Sequence, residues 1–434
     1  MKHKLFATLL MCLALCGQGR AQGYTPSQEN LQHRQRFADS KLGVFFHWGL
    51  YSMYGHGEWS MQVEKLNAQE YAKGINAFYP AKFDAASWVS AVKAAGAKYI
   101  TVTSRHHEGF SMWNTRQSDY NIMNSPYGKD VIKALADECH RQGIELHLYY
   151  SHLDWTRDDY PMGRTGRLTG RDSTKADWNH YFAFMNRQLT ELLTQYGEIG
   201  AIWFDGVWDH EEDKTPFNWH LQEQYDIIHK LQPACLVGNN HHLTAMEGED
   251  FQIFERDVPG ENKAGYSDKI SIGRLPLETC QTMNDSWGYD VRDLGYKSPQ
   301  ELVRLLVRTA GKGANLLLNV SPQPDGALPQ AALDRLNYMG NWLKKHGETI
   351  YATTGGEVTE GERVVSTRKG NHLYIHVLND SVNSLSLNLP CKVKQAREYA
   401  TGNKMAFTQK KGTVKLNFTM PKGEVDYIIE LETK

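Results

Sequence analysis

Asp205 closes the segment Gly200-Ala-Ile-Trp-Phe-Asp-Gly-Val-Trp-Asp209, a short apolar run that ends in an acid and a glycine. In an alternating strand Ala201, Trp203 and Asp205 share one face, so a carboxylate stands beside an indole at the strand's C-terminal end. That pairing suits sugar chemistry: an acid acts on an anomeric carbon while an aromatic face packs on the apolar side of the ring. The same letters also serve simply to end a strand and open a loop, with Asp as a helix N-cap. Glycoside hydrolysis needs a second carboxylate, one group attacking or activating water and the other protonating the leaving oxygen. Two downstream acids qualify. Glu255, in Phe254-Glu-Arg-Asp257, sits at a predicted strand end, where Arg256 and Asp257 also fit a surface ion-pair cluster. Glu278 follows the apolar Leu275-Pro-Leu277, where burial would raise its pKa and keep it protonated as a general acid. Chemistry alone does not choose between them.

Other polar residues fall at predicted strand ends too: Phe45-Phe46-His47-Trp48-Gly49, Ser104-Arg105-His106-His107-Glu108 and Tyr149-Tyr150-Ser151. His47 reads either as a packing histidine or as a donor to sugar hydroxyls. His106 and His107 form a possible metal pair, but adjacent residues on an extended chain point opposite ways, and there is no HExxH or comparable spacing. No metal and no cofactor is expected.

The elements that must position these residues alternate short apolar runs with stretches of helical period from about Gln28 to Ala352. Strands are predicted at Leu42–His47, Ala97–Ser104, Glu145–Ser151, Ala201–Asp205, Cys235–Asn239, Asp250–Phe254, Leu277–Thr282 and Asn315–Val320. Helical patterns cover Phe83–Ala95, Val131–Gln142, Trp178–Tyr196, Gln222–Leu231, Pro299–Lys312 and Pro329–His346. Eight strands in this alternation predict a TIM-like (β/α)8 barrel over residues 22–354, with its site at the strands' C-terminal ends. After Gly355 short alternating runs, Arg363–Thr367, His372–Leu378, Ser384–Leu389, Thr413–Phe418 and Tyr427–Leu431, predict a C-terminal antiparallel β-sandwich over 355–434, more plausibly a structural cap than a glycan binder.

Residues 1–21 have the three regions of a secretory signal: Met1-Lys-His-Lys4, an apolar Leu5–Cys16, then Gly-Gln-Gly-Arg-Ala21 with cleavage after Ala21. The chain is therefore expected to be secreted or periplasmic, with lipid anchoring at Cys16 a minor alternative. The apolar core is too short to span a bilayer, and no other long uncharged run occurs. Cleavage removes Lys2, Lys4 and Arg20 from 48 basic residues, leaving 45 against 50 acids and a formal charge of about −5, which argues against a nucleic-acid partner. Cys139, Cys235, Cys280 and Cys391 are widely scattered, with neither zinc spacing nor a disulfide-dense pattern. Among 434 residues, 11 Trp, 22 Tyr and 15 Phe make a high aromatic content, useful in a carbohydrate cleft although core packing is the default for most of them.

Taken in order, Phe46-His47-Trp48-Gly49, Gly57-Glu58-Trp59, Ser104-Arg-His-His-Glu-Gly-Phe110, Tyr149-Tyr150-Ser151, Trp203-Phe-Asp205-Gly206 and Asn315-Leu-Leu-Leu-Asn-Val320 resemble the α-L-fucosidases of glycoside hydrolase family 29. The resemblance covers nearly the whole mature chain, barrel and sandwich. It implies an exo-acting enzyme on fucosylated glycans, with Asp205 as nucleophile of a retaining mechanism through a fucosyl-enzyme ester. It places His47, Glu58, Trp59, His106, His107 and Tyr150 where the family holds the fucose hydroxyls or walls the pocket, and Trp203 beside the nucleophile. Matching Glu278 through Trp287-Gly-Tyr289 to the family's Trp-Glu segment, which a similar Trp-Gly-Tyr follows, makes Glu278 the acid/base, preferred to Glu255. One departure stands out: many relatives carry Asn-Asp-Arg-Trp where this chain has Asn239-Asn240-His241-His242, leaving Arg256 as the candidate guanidinium. The methyl of fucose calls for an apolar patch, from Trp203, Trp59 or Trp287; shape alone discriminates by about 1–3 kcal/mol. Two competing expectations are a retaining glycosidase of the same fold on another sugar, such as an α-galactoside, and an inactive sugar-binding relative. The inactive relative would lack a carboxylate, yet Asp205, Glu255 and Glu278 are all present. An oligomer is compatible with all three.

Overall fold

The computed structural model describes residues 23–434; the signal segment, with the cleavage and lipidation expectations that rest on it, lies outside the described residues. Eight parallel strands, β1 (Leu42–Phe46), β2 (Tyr99–Arg105), β3 (Glu145–Ser151), β4 (Ala201–Asp205), β5 (Leu236–Asn240), β6 (Gln252–Glu255), β7 (Leu277–Thr282) and β8 (Ala314–Val320), make one nearly closed barrel. Their order is β5-β4-β3-β2-β1-β8-β7-β6. The surrounding helices are α1 (Gln28–Ser40), α2 (Ala85–Ala94), α3 (Val131–Gln142), α4 (Trp178–Gln195), α5 (Leu221–Leu231), α6 (Pro299–Gly311) and α7 (Gln330–His346). Their ends follow local chemistry. Ser298 and Glu301 form a capping box with Pro299 at the start of α6, and Asp130 caps α3, which stops at a left-handed Gly143.

The two faces of the strands build two cores. Phe45, Tyr99, Tyr149, Trp203, Cys280 and Leu317 point into the barrel and pack together, joined by Phe37 of α1. Val44, Phe46, Ile100, Val102, Leu148, Tyr150, Ile202 and Phe204 face outward into the layer shared with the helices. Each large apolar side chain so buried contributes about 1.5–3 kcal/mol. Most strand side chains are apolar on both faces, as a sheet covered on both requires, with polar exceptions such as Thr101, His147, Glu278 and Asn315 buried among them.

From Thr354 the chain turns antiparallel. A five-stranded sheet, β13-β16-β11-β10-β9, faces a three-stranded one, β12-β15-β14. These are β9 (Thr354–Glu360), β10 (Val364–Lys369), β11 (His372–Val377), β12 (Ser384–Asn388), β13 (Val393–Glu398), β14 (Phe407–Lys410), β15 (Thr413–Asn417) and β16 (Tyr427–Thr433). Leu373, Ile375, Leu385, Leu387, Val414, Leu416 and Ile429 fill the space between them. Among the described residues no helix is long and apolar enough to cross a membrane.

Candidate active site

At the C-terminal ends of the barrel strands lies a cavity of about 570 Å³, and Asp205 is its most elaborately held side chain. Its Oδ1 accepts from the backbone N–H of Gly206 (2.8 Å) and the indole N–H of Trp208 (2.9 Å), and lies 3.4 Å from the amide nitrogen of Asn240. Its Oδ2 accepts from the Tyr149 hydroxyl at 2.9 Å. Burial, then the charge of Glu255, pushes its pKa up to about 6, and the Trp208 and Tyr149 bonds limit that rise. These donors fix the orientation of the carboxylate.

Of the two candidate partners for Asp205, Glu255 lines the cavity and Glu278 does not. Register explains it. Glu255 pairs with Cys280 and Ile253 with Glu278, so Glu278 sits two residues deeper in the barrel, below the cavity floor. There its Oε1 accepts from the indole N–H of Trp203 (2.9 Å) and its Oε2 from the hydroxyl of Tyr99 (2.5 Å). It is wholly buried, and burial raises its pKa to about 7. The expected perturbation is present, but Trp203 stands between this acid and any ligand. Glu255 lines the cavity, and its Oε2 accepts from Asn240 (2.8 Å) and meets His242 Nε2 at 2.9 Å. Burial alone would raise its pKa, but the bond and charge of His242, with Asn240 and Arg256, hold it below the ordinary value.

Three histidines and a glutamate form the wall. His47 donates from Nδ1 to Asn319 Oδ1 at 2.7 Å, an orientation set because the Asn319 amide nitrogen donates to Trp287 O. Burial lowers the His47 pKa to about 3, so its Nε2 offers a lone pair. His107 meets Ser151 Oγ at 2.7 Å, and that hydroxyl is spent on Leu153 O. This assigns the donor role to Nδ1 and leaves Nε2 as an acceptor 3.5 Å from Asp205. Burial holds both His106 and His107 neutral. Contrary to the expectation of opposed side chains, both line the cavity, their rings 4.1 Å apart. The chain has left β2 and turns at Gly109, whose N–H donates to His106 O, so strand alternation no longer applies. Among the described residues no three His, Cys, Asp or Glu converge on a metal site. Glu58 accepts from the N–H of Gly288 at 2.7 Å. A Cβ at Gly288 would lie 2.6 Å from the Glu58 backbone nitrogen, so only glycine permits this approach.

Tyr150 is the other displaced expectation. It faces outward, its hydroxyl donating to Gln188 at 2.8 Å and its ring 5.2 Å from the Arg105 guanidinium. Tyr149 takes the inward place, stacked at 5.5 Å on Trp203. Trp59, Trp203, Arg256 and Trp287 do line the cavity, Arg256 lying 5.0 Å over Trp287.

The family model described as Alpha-L-fucosidase matches residues 11–348. The chain belongs to the α-L-fucosidase family. Plasma alpha-L-fucosidase of Rattus norvegicus is 30% identical over 383 residues, covering 80% of this chain and 78% of the relative. The alpha-L-fucosidase of Dictyostelium discoideum is 27% identical over 384 residues, covering 82% and 79%. Among solved structures, alpha-L-fucosidase isoenzyme 1 from Paenibacillus thiaminolyticus is 33% identical with a TM-score of 0.82, covering 94% of this chain and all of that one. A GH29 fucosidase of Bacteroides thetaiotaomicron, trapped as a covalent intermediate with 2-fluoro-fucosyl fluoride in a glutamate-to-glutamine mutant, is 25% identical with a TM-score of 0.80, covering 95% and 98%. This chain is thus a glycoside hydrolase, an α-L-fucosidase with fucosylated glycans as its substrates.

For a fucosidase, this pocket is rich in acceptors: His47, His107 and Glu58 present lone pairs suited to sugar hydroxyls, and aromatic faces suited to the ring. Residues the sequence did not single out are Tyr149, Trp208, Asn240, His242 and Tyr266. Trp208 was within reach, since it stands three residues after the nucleophile candidate. Asn240 and His242 lay in the stretch that departs from the family pattern, where resemblance carries no assignment.

Proposed function

We propose that the chain is an exported, exo-acting, retaining α-L-fucosidase with Asp205 as nucleophile and Glu255 as acid/base. The observation that carries it is Asn240. One amide nitrogen touches both carboxylates, at 3.4 Å and 2.8 Å. Those contacts hold one oxygen of each carboxylate on a shared partner, a closeness compatible with the roughly 5–5.5 Å of retaining pairs. In the first step an Asp205 oxygen bonds to C1 as the C1–O bond to the leaving group breaks, and the Glu255 proton passes to the departing oxygen. In the second, water attacks C1, its proton passes to the Glu255 carboxylate, and the electron pair of the ester bond returns to Asp205. His47, His107 and Glu58 accept from fucose hydroxyls, and the indole faces take the ring and methyl. The aromatic floor of Trp203 and Phe45 supports exo action, since it admits a chain end and blocks passage of a longer chain.

Hydrolysis of an aryl α-L-fucoside by wild type, Asp205→Ala and Glu255→Ala, each with and without azide, tests this. Asp205→Ala should lose turnover and, with azide, yield the inverted glycosyl azide. Glu255→Ala should lose about 10²–10⁴-fold on a poor leaving group and with azide yield the retained azide. Full activity in Glu255→Ala, with loss and azide rescue in Glu278→Ala, would return the acid/base role to Glu278.

A further inference from the structure

Glu255 is the last residue of β6, with solvent on one side and a flexible side chain, yet its Oε2 is pinned. The pins come from the segment after β5: Asn240, and His242 at 2.9 Å. Two histidines follow one another there with different assignments. His241 turns away to Glu249 (2.9 Å) while its Nδ1 accepts from the Leu243 N–H. His242 turns into the cavity, its ring stacked on Tyr266 at 4.9 Å and 22°. His242 also has a φ of +60°, a left-handed conformation that costs a non-glycine residue and persists where the surroundings enforce it.

We propose that His242 is a positioning residue for Glu255, fixing Oε2 so that Oε1 is left to meet the glycosidic oxygen and the attacking water, and supplying the positive charge that balances the carboxylate. The inference rests on Glu255 being the acid/base. Charges from each neighbouring element bear on it. Glu255 on β6, Asp205 on β4 and Glu211 in the segment after β4 favour the imidazolium, which burial opposes. Arg164, Arg256 and Lys269 line the same cavity, as does the acid Asp268. Arg256 follows Glu255 in the chain but donates to Asp285 O at 2.7 Å, so the cation bonded to Oε2 is His242. In the second half-reaction Glu255 must start as a carboxylate, and an imidazolium at 2.9 Å keeps it so without blocking Oε1.

The test is the pH dependence of kcat/KM for an aryl α-L-fucoside and a fucosyl disaccharide, in His242→Asn and His242→Gln, each alone and combined with Glu255→Ala. Asn accepts the left-handed backbone but is too short to reach Glu255; Gln reaches about as far as Nε2 and brings no charge. His242→Asn should lower kcat at least tenfold and move the limb governed by Glu255 up by roughly one pH unit, because a cation that stabilised the carboxylate has gone. His242→Gln should recover most of kcat but not the position of the limb. In Glu255→Ala neither substitution should cost anything further. An additive loss in the Glu255→Ala background, or a pH profile left unmoved by His242→Asn, would overturn the proposal. Should Glu255→Ala itself keep full disaccharide activity with no azide effect, the acid/base assignment fails first and carries this inference with it.

Discussion

Tyr149 and Tyr150 are neighbours on β3, yet one donates to Asp205 and the other to Gln188 on the far side of the sheet. Tyr149→Phe removes a buried bond to a charged acceptor, worth about 1.5–3 kcal/mol, and kcat/KM should fall about 10–100-fold. The sign of the pH effect also follows. The Tyr149 bond lowers the pKa of Asp205, which stands at about 6; without it that pKa rises. The limb of the pH profile governed by Asp205 should therefore move to higher pH. Tyr150→Phe should leave kcat/KM within about twofold and lower Tm, because Gln188 loses a buried partner. A pH profile with both variants unchanged would remove Tyr149 from the site. Asp205, His47 and Trp203 were legible as polar or aromatic letters at predicted strand ends. The choice between adjacent tyrosines was not, since a motif gives identity while the inward face depends on register, here fixed by the Tyr149–Trp203 pairing.

At the scale of elements, register again decides what Glu278 does. The strand prediction for β7 matched its bounds, and the raised pKa is present, but depth in the barrel depends on the stagger between β6 and β7, which a single chain does not display. Held by Tyr99 and Trp203 inside the barrel, Glu278 is expected to bear on stability. The native barrel holds its proton up to about pH 7, while the unfolded chain releases it in the ordinary carboxyl range, near 4.3. Stability is thus highest where both states are protonated and falls as pH rises from the unfolded value through the folded one. Glu278→Gln has no proton to lose, so Tm measured from pH 4 to 8 should lose that part of its decline, with kcat/KM changed only several-fold. A thousandfold loss of activity with an unaltered Tm profile would contradict this. The missed elements share a physical cause. β9, β13 and β14 are edge strands, half-exposed and polar or, in β9, interrupted by Gly355-Gly356, so alternation is faint. The first helix, α1, is mostly polar too, and Phe37 is its one buried apolar side chain beside Asn30, His33 and Ser40.

At the scale of the whole molecule, the switch from helical to alternating period was legible near Gly355, but the way the sandwich meets the barrel was not. It depends on close backbone approach: a Cβ at Gly311, the end of α6, would lie 3.1 Å from the Val365 Cβ of β10, and one at Gly355 2.7 Å from Gly311 O. The start of the described chain is tied down as well. Tyr24 stacks on His229 at 4.5 Å and 13°, and its hydroxyl donates to Asp250 at 3.2 Å, an acid that also pairs with Arg34. Cleavage after Ala21 would leave Gln22 as the first residue, two before this anchor, so removal of the proposed signal costs the fold none of these contacts. Export therefore predicts an intact mass beginning at Gln22 for the protein recovered outside the cytoplasm, with the same Tm as a variant expressed from Gln22 onward. A full-length mass in the cytoplasmic fraction would sink the export proposal, and a diacylglyceryl-modified mass beginning at Cys16 would replace it with the lipid anchor.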